Sequence, residues 1–325
     1  MHTLVGSASA KEVLLWDPST LQVQLTQSPG CSALAATLGG LLGLGKRQVL
    51  HYWEGKEAAE RQPFERQFSC LAAWRHVVVA GTQKGELWVW DHAVNWLRIS
   101  GQSAISALAV SEQLVVVGKE SGAVEEYTLA DLYCGGLSPR FTYKQHTQTV
   151  TALSLLHGQV VSASLDGTVI RGAVGSVVEK NSLNLSVTAL AACDTAIYVG
   201  SKEGAVQKLG NSETWHWQDH SISALLLLDP QRLLVCTDLI TVLDTATGTP
   251  IQVFTSHTSP PTSLTLIPQS SDSQLCTLSP VLASASSVSL PPGPAVQAPV
   301  TKEEELPKLQ AMNHWLYGVW VDAWL

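Results

Sequence analysis

HVVVAGTQKGELWVWD, at residues 76–91, meets its own paraphrase 37 residues further on, in QLVVVGKESGAVEEYTL at 113–129. In both, an apolar run leads into a short polar turn closed by a glycine, Gly85 or Gly122, and a second run carries an aromatic five residues beyond it, Trp90 or Tyr127. Short runs of β-branched residues suit a pleated strand, and glycine supplies the positive φ of a tight turn, so each stretch reads as a β-hairpin. The aromatic column extends back to Trp53 in LHYWE (50–54) and Trp16 in VLLWD (13–17), giving equal steps of 37. The glycine column extends forward to Gly167 in SLDG and Gly204 in SKEG. Five residues beyond these stand Gly172 and Leu209, so two repeats keep the turn and lose the aromatic.

A further strand precedes each hairpin: CSALAAT (31–37), SCLAAWR (69–75), ISALAVS (105–111), TVTALSL (149–155), SVTALAA (186–192) and SISALLLL (221–228). Their small and aliphatic residues suit the innermost strand, crowded near an axis. Four strands in about 40 residues is the period of the WD-repeat propeller. The expected fold is all-β: a seven-bladed WD-repeat β-propeller with a short C-terminal helix. Residues 3–25 hold only the later strands of a first blade, and PTSLTLIP (261–268) supplies its missing inner strand. Such a splice joins both ends of the chain in one blade and removes two open sheet edges.

Composition agrees with a large core. Of 325 residues 45% are hydrophobic and only 14% charged, which is not the balance of a disordered chain. No apolar run reaches the roughly 18 residues of a membrane span, and Met1–Gly6 lacks a basic secretory leader, so an intracellular protein without a membrane partner is expected. The six cysteines, Cys31, Cys70, Cys134, Cys193, Cys236 and Cys276, include no C-x-x-C pair and read as small buried hydrophobes in a reducing compartment. A net charge of −8 argues against direct nucleic-acid binding.

Three segments follow: a propeller over 1–268, a Ser/Pro-rich linker over 269–300 with VLASASSVSL (281–290) as a candidate edge strand, and a tail over 301–325. The tail opens on Thr301, carries acids at Glu303–Glu305, and then places apolar residues at helical spacing. Its Trp315, Leu316, Val319, Trp320 and Trp324 form one face of an amphipathic helix, too apolar to stay in water. That face can be covered by the propeller, by a partner's groove or a second copy of the chain, or by a membrane surface; the partner-binding reading names these five residues as the candidate site.

Catalytic and cofactor signals are weak. His216 and His220 in HWQDH have metal-ligand spacing only on a helix, in a segment that leads into a strand, and lack a third ligand nearby. GGLLGLGK (39–46) is glycine-rich without phosphate-loop spacing. His146, His220 and His257 each stand just before an inner strand, where a WD repeat places a histidine that bonds within its blade beside turn acids such as Asp166 and Asp238. No catalytic, cofactor or metal residues are assigned, and no enzymatic activity is expected.

Four stretches carry a family likeness: VLLWDPSTLQ at the start, LLGLGKRQVLHYWEGK in the second repeat, HTQTVTALSLLHGQVVSASLDGTV in the fifth, and LSVTALAACDTAIYVGSKEGAVQKL in the sixth. With them the chain resembles the WD-repeat subunits of Rix-type complexes, which mature the large ribosomal subunit precursor. It departs from that family in its short, tryptophan-rich tail and in CTDLITVLD, which lacks the usual glycine and tryptophan. The resemblance implies a non-catalytic scaffold in the nucleus, at nucleolus or nucleoplasm, acting in pre-rRNA processing. Its partners would be the other Rix-type subunits, the pre-ribosomal particle and its AAA-type remodelling ATPase. A WD-repeat adaptor or substrate receptor in a ubiquitin ligase, chromatin or trafficking complex is the alternative, because the propeller is common to all of these.

Overall fold

The turn glycines set the geometry. Gly85, Gly122, Gly167 and Gly204 have φ of 81°, 80°, 80° and 79°. At Gly122 a Cβ would also stand 2.4 Å from the carbonyl oxygen of His146, so both conformation and space call for glycine. In the computed structural model the described residues are 4–27, 30–37, 40–45, 50–54, 57–60, 68–91, 94–136, 138–156, 158–173, 175–193, 195–210, 214–216 and 220–267.

Their strands pair into seven four-stranded sheets, every pairing antiparallel. The first sheet orders Pro261–Ile267, Leu4–Ser9, Val13–Trp16 and Val23–Gln27. The second runs through Cys31–Ala36, Leu41–Gly45, Leu50–Glu54 and Glu57–Glu60, and the third through Phe68–Trp74, Val77–Thr82, Glu86–Asp91 and Val94–Ser100. The fourth holds Ile105–Val110, Leu114–Lys119, Val124–Thr128 and Phe141–Tyr143; the fifth Val150–Leu156, Gln159–Ser164, Thr168–Ala173 and Glu179–Ser182. The sixth holds Val187–Cys193, Ala196–Ser201, Ala205–Lys208 and Thr214–His216; the seventh Ala224–Asp229, Arg232–Cys236, Ile240–Asp244 and Pro250–Phe254.

Each first-named, inner strand packs against the inner strand of the next sheet, and Ala224–Asp229 of the seventh packs against Pro261–Ile267 of the first. The ring closes, and the chain is an all-β propeller. The expected splice is present: Leu4 faces Ile267 and Gly6 faces Thr265 in antiparallel register.

The core lies between neighbouring sheets. One cluster joins Val77, Val79 and Ile99 of the third sheet to Val115 and Tyr127 of the fourth; another joins Trp16 of the first to Leu234, Val242 and Phe254 of the seventh. Second strands such as Val77–Thr82 and Leu114–Lys119 are buried along their whole length, having a sheet on either side, which is why they read as continuous apolar runs.

One element escaped the sequence reading, a single helical turn at Leu129–Tyr133 between the third and fourth strands of the fourth sheet. Thr128 caps it by accepting the Asp131 amide, and Leu129 and Leu132 bury its inner side. The signal was legible as threonine followed three residues later by an acid. The expected edge strand at 281–290 and the tail helix at 301–325 lie outside the described residues.

Candidate functional site

The residues assigned to partner binding, Trp315, Leu316, Val319, Trp320 and Trp324, also lie outside the described residues. What the described chain offers is a set of histidine, hydroxyl and carboxylate groups, a ring of hydroxyls and a cleft.

In the first sheet the Trp16 indole N–H donates to Ser7 Oγ at 3.0 Å, and Ser7 Oγ lies 2.7 Å from His257 Nε2. His257 Nδ1 faces Glu12 Oε1 at 3.6 Å, and Glu12 accepts the Thr258 amide at 2.6 Å. The fifth sheet repeats the arrangement. His146 Nε2 lies 2.7 Å from Ser162 Oγ, its Nδ1 lies 2.5 Å from Thr168 Oγ1, and Thr168 donates to Asp166 at 2.5 Å. Because Thr168 gives its proton to Asp166, it accepts from His146, which fixes the Nδ1–H tautomer; Nε2 then accepts from Ser162. No strand-three aromatic is present to donate to Ser162, since Gly172 stands in that column. Tyr143, on the outer strand of the fourth sheet, donates instead at 3.1 Å and so ties two sheets together.

These groups are of the kinds that make hydrolytic triads, yet Ser162 is 0% exposed and His146 2%, so no substrate reaches the hydroxyl. Burial holds His146 down at about 4, despite the nearby Asp166 carboxylate, and lowers His257 as well, so both rings are neutral near pH 7. For Asp166 burial works upward, but the amides and hydroxyls of Thr147 and Thr168 outweigh it and hold the carboxyl well below its ordinary range. The third predicted histidine differs: His220 pairs with Asp238 at 3.0 Å with both side chains more than half exposed. His216 ends the strand Thr214–His216, not a helix. Among the described residues no three His, Cys, Asp or Glu side chains gather as a metal site. Burial pushes the thiols of Cys31, Cys70 and Cys236 up to about 12, as expected of inert core cysteines. Cys134 is exposed and Cys193 half-buried, so the buried reading does not extend to them.

The hydroxyl ring was not anticipated. A serine or threonine stands at the matching position of each inner strand, or just before it at Ser223: Ser32, Ser69, Ser106, Thr151, Thr188, Ser223 and Thr262. All but Ser32 reach both a carbonyl of their own sheet and the inner segment of the next. The shorter contact crosses the boundary at Ser69 (2.6 Å to Ile105 O), Ser106 (2.7 Å to Val150 O), Thr151 (2.8 Å to Val187 O) and Thr188 (2.6 Å to Ile222 O). The recurring "SAL" and "TAL" thus record a joint between sheets as well as small size.

Between the fifth and sixth sheets lies a cleft of about 530 Å³. Val169, Ile197 and Leu209 form its apolar floor, and Arg171, Glu179 and Asn181 stand at its rim.

No family model matches the chain, and no curated protein matches it. Solved structures do match, among them the crystal structure of the computationally designed Ika8 protein, with a TM-score of 0.64 and 24% identity over 80% of this chain and 86% of that one. The likeness is one of fold. The 1458 solved chains that match are too many for the architecture to select a function.

Proposed function

We propose that the seven sheets are the blades of a WD-repeat scaffold without catalytic activity, which joins the other subunits of a Rix-type complex on a pre-ribosomal particle. In this reading the protein acts in the nucleus, in pre-rRNA processing and large-subunit maturation, and helps engage the AAA-type remodelling ATPase. The observation that carries the scaffold half is the inward turning of the polar chemistry. The Trp16–Ser7–His257 and Tyr143–Ser162–His146 relays and the hydroxyl ring bond strand to strand and sheet to sheet, which suits a rigid platform. The Rix-type half rests on the resemblance of the repeats. The tail supplies the partner contact through Trp315, Leu316, Val319, Trp320 and Trp324, or joins two copies.

Affinity purification of the full chain with mass spectrometry tests the reading. Pre-ribosomal proteins and a remodelling ATPase are expected, lost on Trp320→Ala while the melting temperature holds. Recovery of ligase, chromatin or trafficking subunits instead overturns the ribosomal assignment. A lowered melting temperature with association intact makes the tail a propeller cover.

A further inference from the structure

The junctions between sheets are filled by two columns of large side chains. The first, on the third strand, faces the preceding sheet: Trp16 lies opposite Val5, Trp90 opposite Val78 and Tyr127 opposite Val115, and all three aromatics are buried. Gly172 and Leu209 hold the same place in the fifth and sixth sheets, opposite Val160 and Ile197. The second column, on the outermost strand, faces the following sheet. It reads Ile99, Tyr143, Trp215 and Phe254 in the third, fourth, sixth and seventh sheets, and Asn181 in the fifth.

The two columns compensate for each other at three junctions. Trp16 stacks on Phe254 with ring centroids 4.3 Å apart. Where Gly172 is bare, Tyr143 enters from the fourth sheet and the Ser176 carbonyl lies 2.1 Å from where a Cβ would stand. Where the seventh sheet presents only Leu243, Trp215 packs in from the sixth. At the junction of the fifth and sixth sheets both columns are short at once, with Asn181 on one side and Leu209 on the other. The cleft is the space that an aromatic fills elsewhere. Its floor residues Val169 and Ile197 are buried, while the lining residues Glu179 and Gly210 are exposed.

The rim carries one cation and one carboxylate, Arg171 and Glu179. Arg171 gives its Nε–H to Gln159 Oε1 at 2.8 Å, which fixes the guanidinium plane and leaves the two outer nitrogens. Its cross-strand neighbour Glu179 accepts from Asn181 at 3.0 Å, and among the described residues no ion pair ties Arg171 to a carboxylate. A planar guanidinium held at a cleft mouth suits a carboxylate.

We infer that the cleft between the fifth and sixth sheets is a peptide-docking site, which receives an aromatic side chain of a partner protein on Val169, Ile197 and Leu209 with a neighbouring partner carboxylate on Arg171. The inference deepens the scaffold reading and rests on it only for the kind of occupant; a peptide result does not bear on which complex co-purifies.

The probe is a fluorescein-labelled pentapeptide with one tryptophan between two aspartates and glycine at either end, titrated against the full chain by fluorescence anisotropy. Binding is expected, weakened about tenfold or more when the tryptophan becomes alanine or the aspartates become lysine. Leu209→Trp, which restores the missing aromatic from within, should reduce affinity about tenfold or more without lowering the melting temperature. Arg171→Gln should weaken binding several-fold, and Glu179→Gln, which removes a competing charge, should strengthen it. If Leu209→Trp fails to fold, Asn181→Phe fills the cleft from the opposite wall with the same expectation. Failure of the full chain to bind the peptide at millimolar concentration, or equal binding by the filled variant, overturns the proposal, whatever co-purifies in the scaffold test.

Discussion

Thr188→Val removes one hydroxyl from the ring and keeps nearly the same shape. In the native chain Thr188 Oγ1 lies 2.6 Å from the Ile222 carbonyl across the sheet boundary and 3.2 Å from the Gly200 carbonyl of its own sheet. Gly200 belongs to a paired strand, whereas Ile222 lies just outside Ala224–Asp229 and is 0% exposed, so its carbonyl depends on the threonine. Deleting the donor leaves that buried acceptor unpaired, at a cost of about 2 kcal/mol, the middle of the range for such groups. In a propeller of this size each kcal/mol moves the melting temperature by about 2–4 °C, so a fall of about 4–8 °C is expected. Calorimetry of the native chain, Thr188→Val and Thr188→Ser reads it, because serine keeps the hydroxyl and gives up only the methyl. Valine and serine variants that melt together would show that the hydroxyl ties nothing, and the joint assigned to the ring would be wrong.

Acid should loosen the fold in a window set by its buried histidines. His146 moves from an ordinary value of 6.5 to about 4 on folding, so between those pH values the unfolded chain binds more protons. Stability is therefore full above about pH 6.5 and falls toward pH 4, by on the order of 3 kcal/mol for His146 alone; a melting temperature flat across that window would contradict the buried relay. His257, lowered in the same direction, adds to the loss, while Glu12 and Asp166, whose carboxyls lie below their ordinary values of 4.5 and 3.8, begin to add to it only as pH falls through those values. Truncation after residue 260 removes Pro261–Ile267 and leaves Leu4–Ser9 as an open inner edge, so size-exclusion chromatography should show aggregates, and a monomer of unchanged melting temperature would refute the splice. Gly122→Ala forces a Cβ toward the His146 carbonyl, 2.4 Å away, at a residue with φ of 80°; a loss of more than about 1 kcal/mol in denaturant titration is expected, and a neutral result would contradict the turn geometry.

The hairpins, the turn glycines and the splice were legible because each is a local pattern at a fixed period. The histidines before inner strands were legible for the same reason, at His146 and His257. Tyr143 was not, because its partner Ser162 belongs to the next sheet and only the packing of sheets brings them together. The hydroxyl ring stood in plain view as "SAL" and "TAL", but the acceptor of each bond is a backbone carbonyl 34–44 residues ahead in such pairs as Thr188–Ile222 and Ser106–Val150. Side-chain type alone does not point to it. The cleft is the least legible feature: the loss of an aromatic at Leu209 shows in the sequence, yet the loss matters only because Asn181 faces it, and Gly172 shows the same loss with the space closed.

The spliced first sheet also bears on how the chain is made. Leu4–Ser9 is made before the strand it pairs with, Pro261–Ile267, which follows some 250 positions later. At roughly 5–20 residues per second, the N-terminal strands wait for about 13–50 s before their inner partner exists. During synthesis the six later sheets can each form from contiguous chain, while the first stays an incomplete ribbon with an adhesive edge. Ring closure is then the last step, with the largest loop to close, and a chaperone that shields Leu4–Trp16 in the interval would act where nascent chains are most exposed to one another.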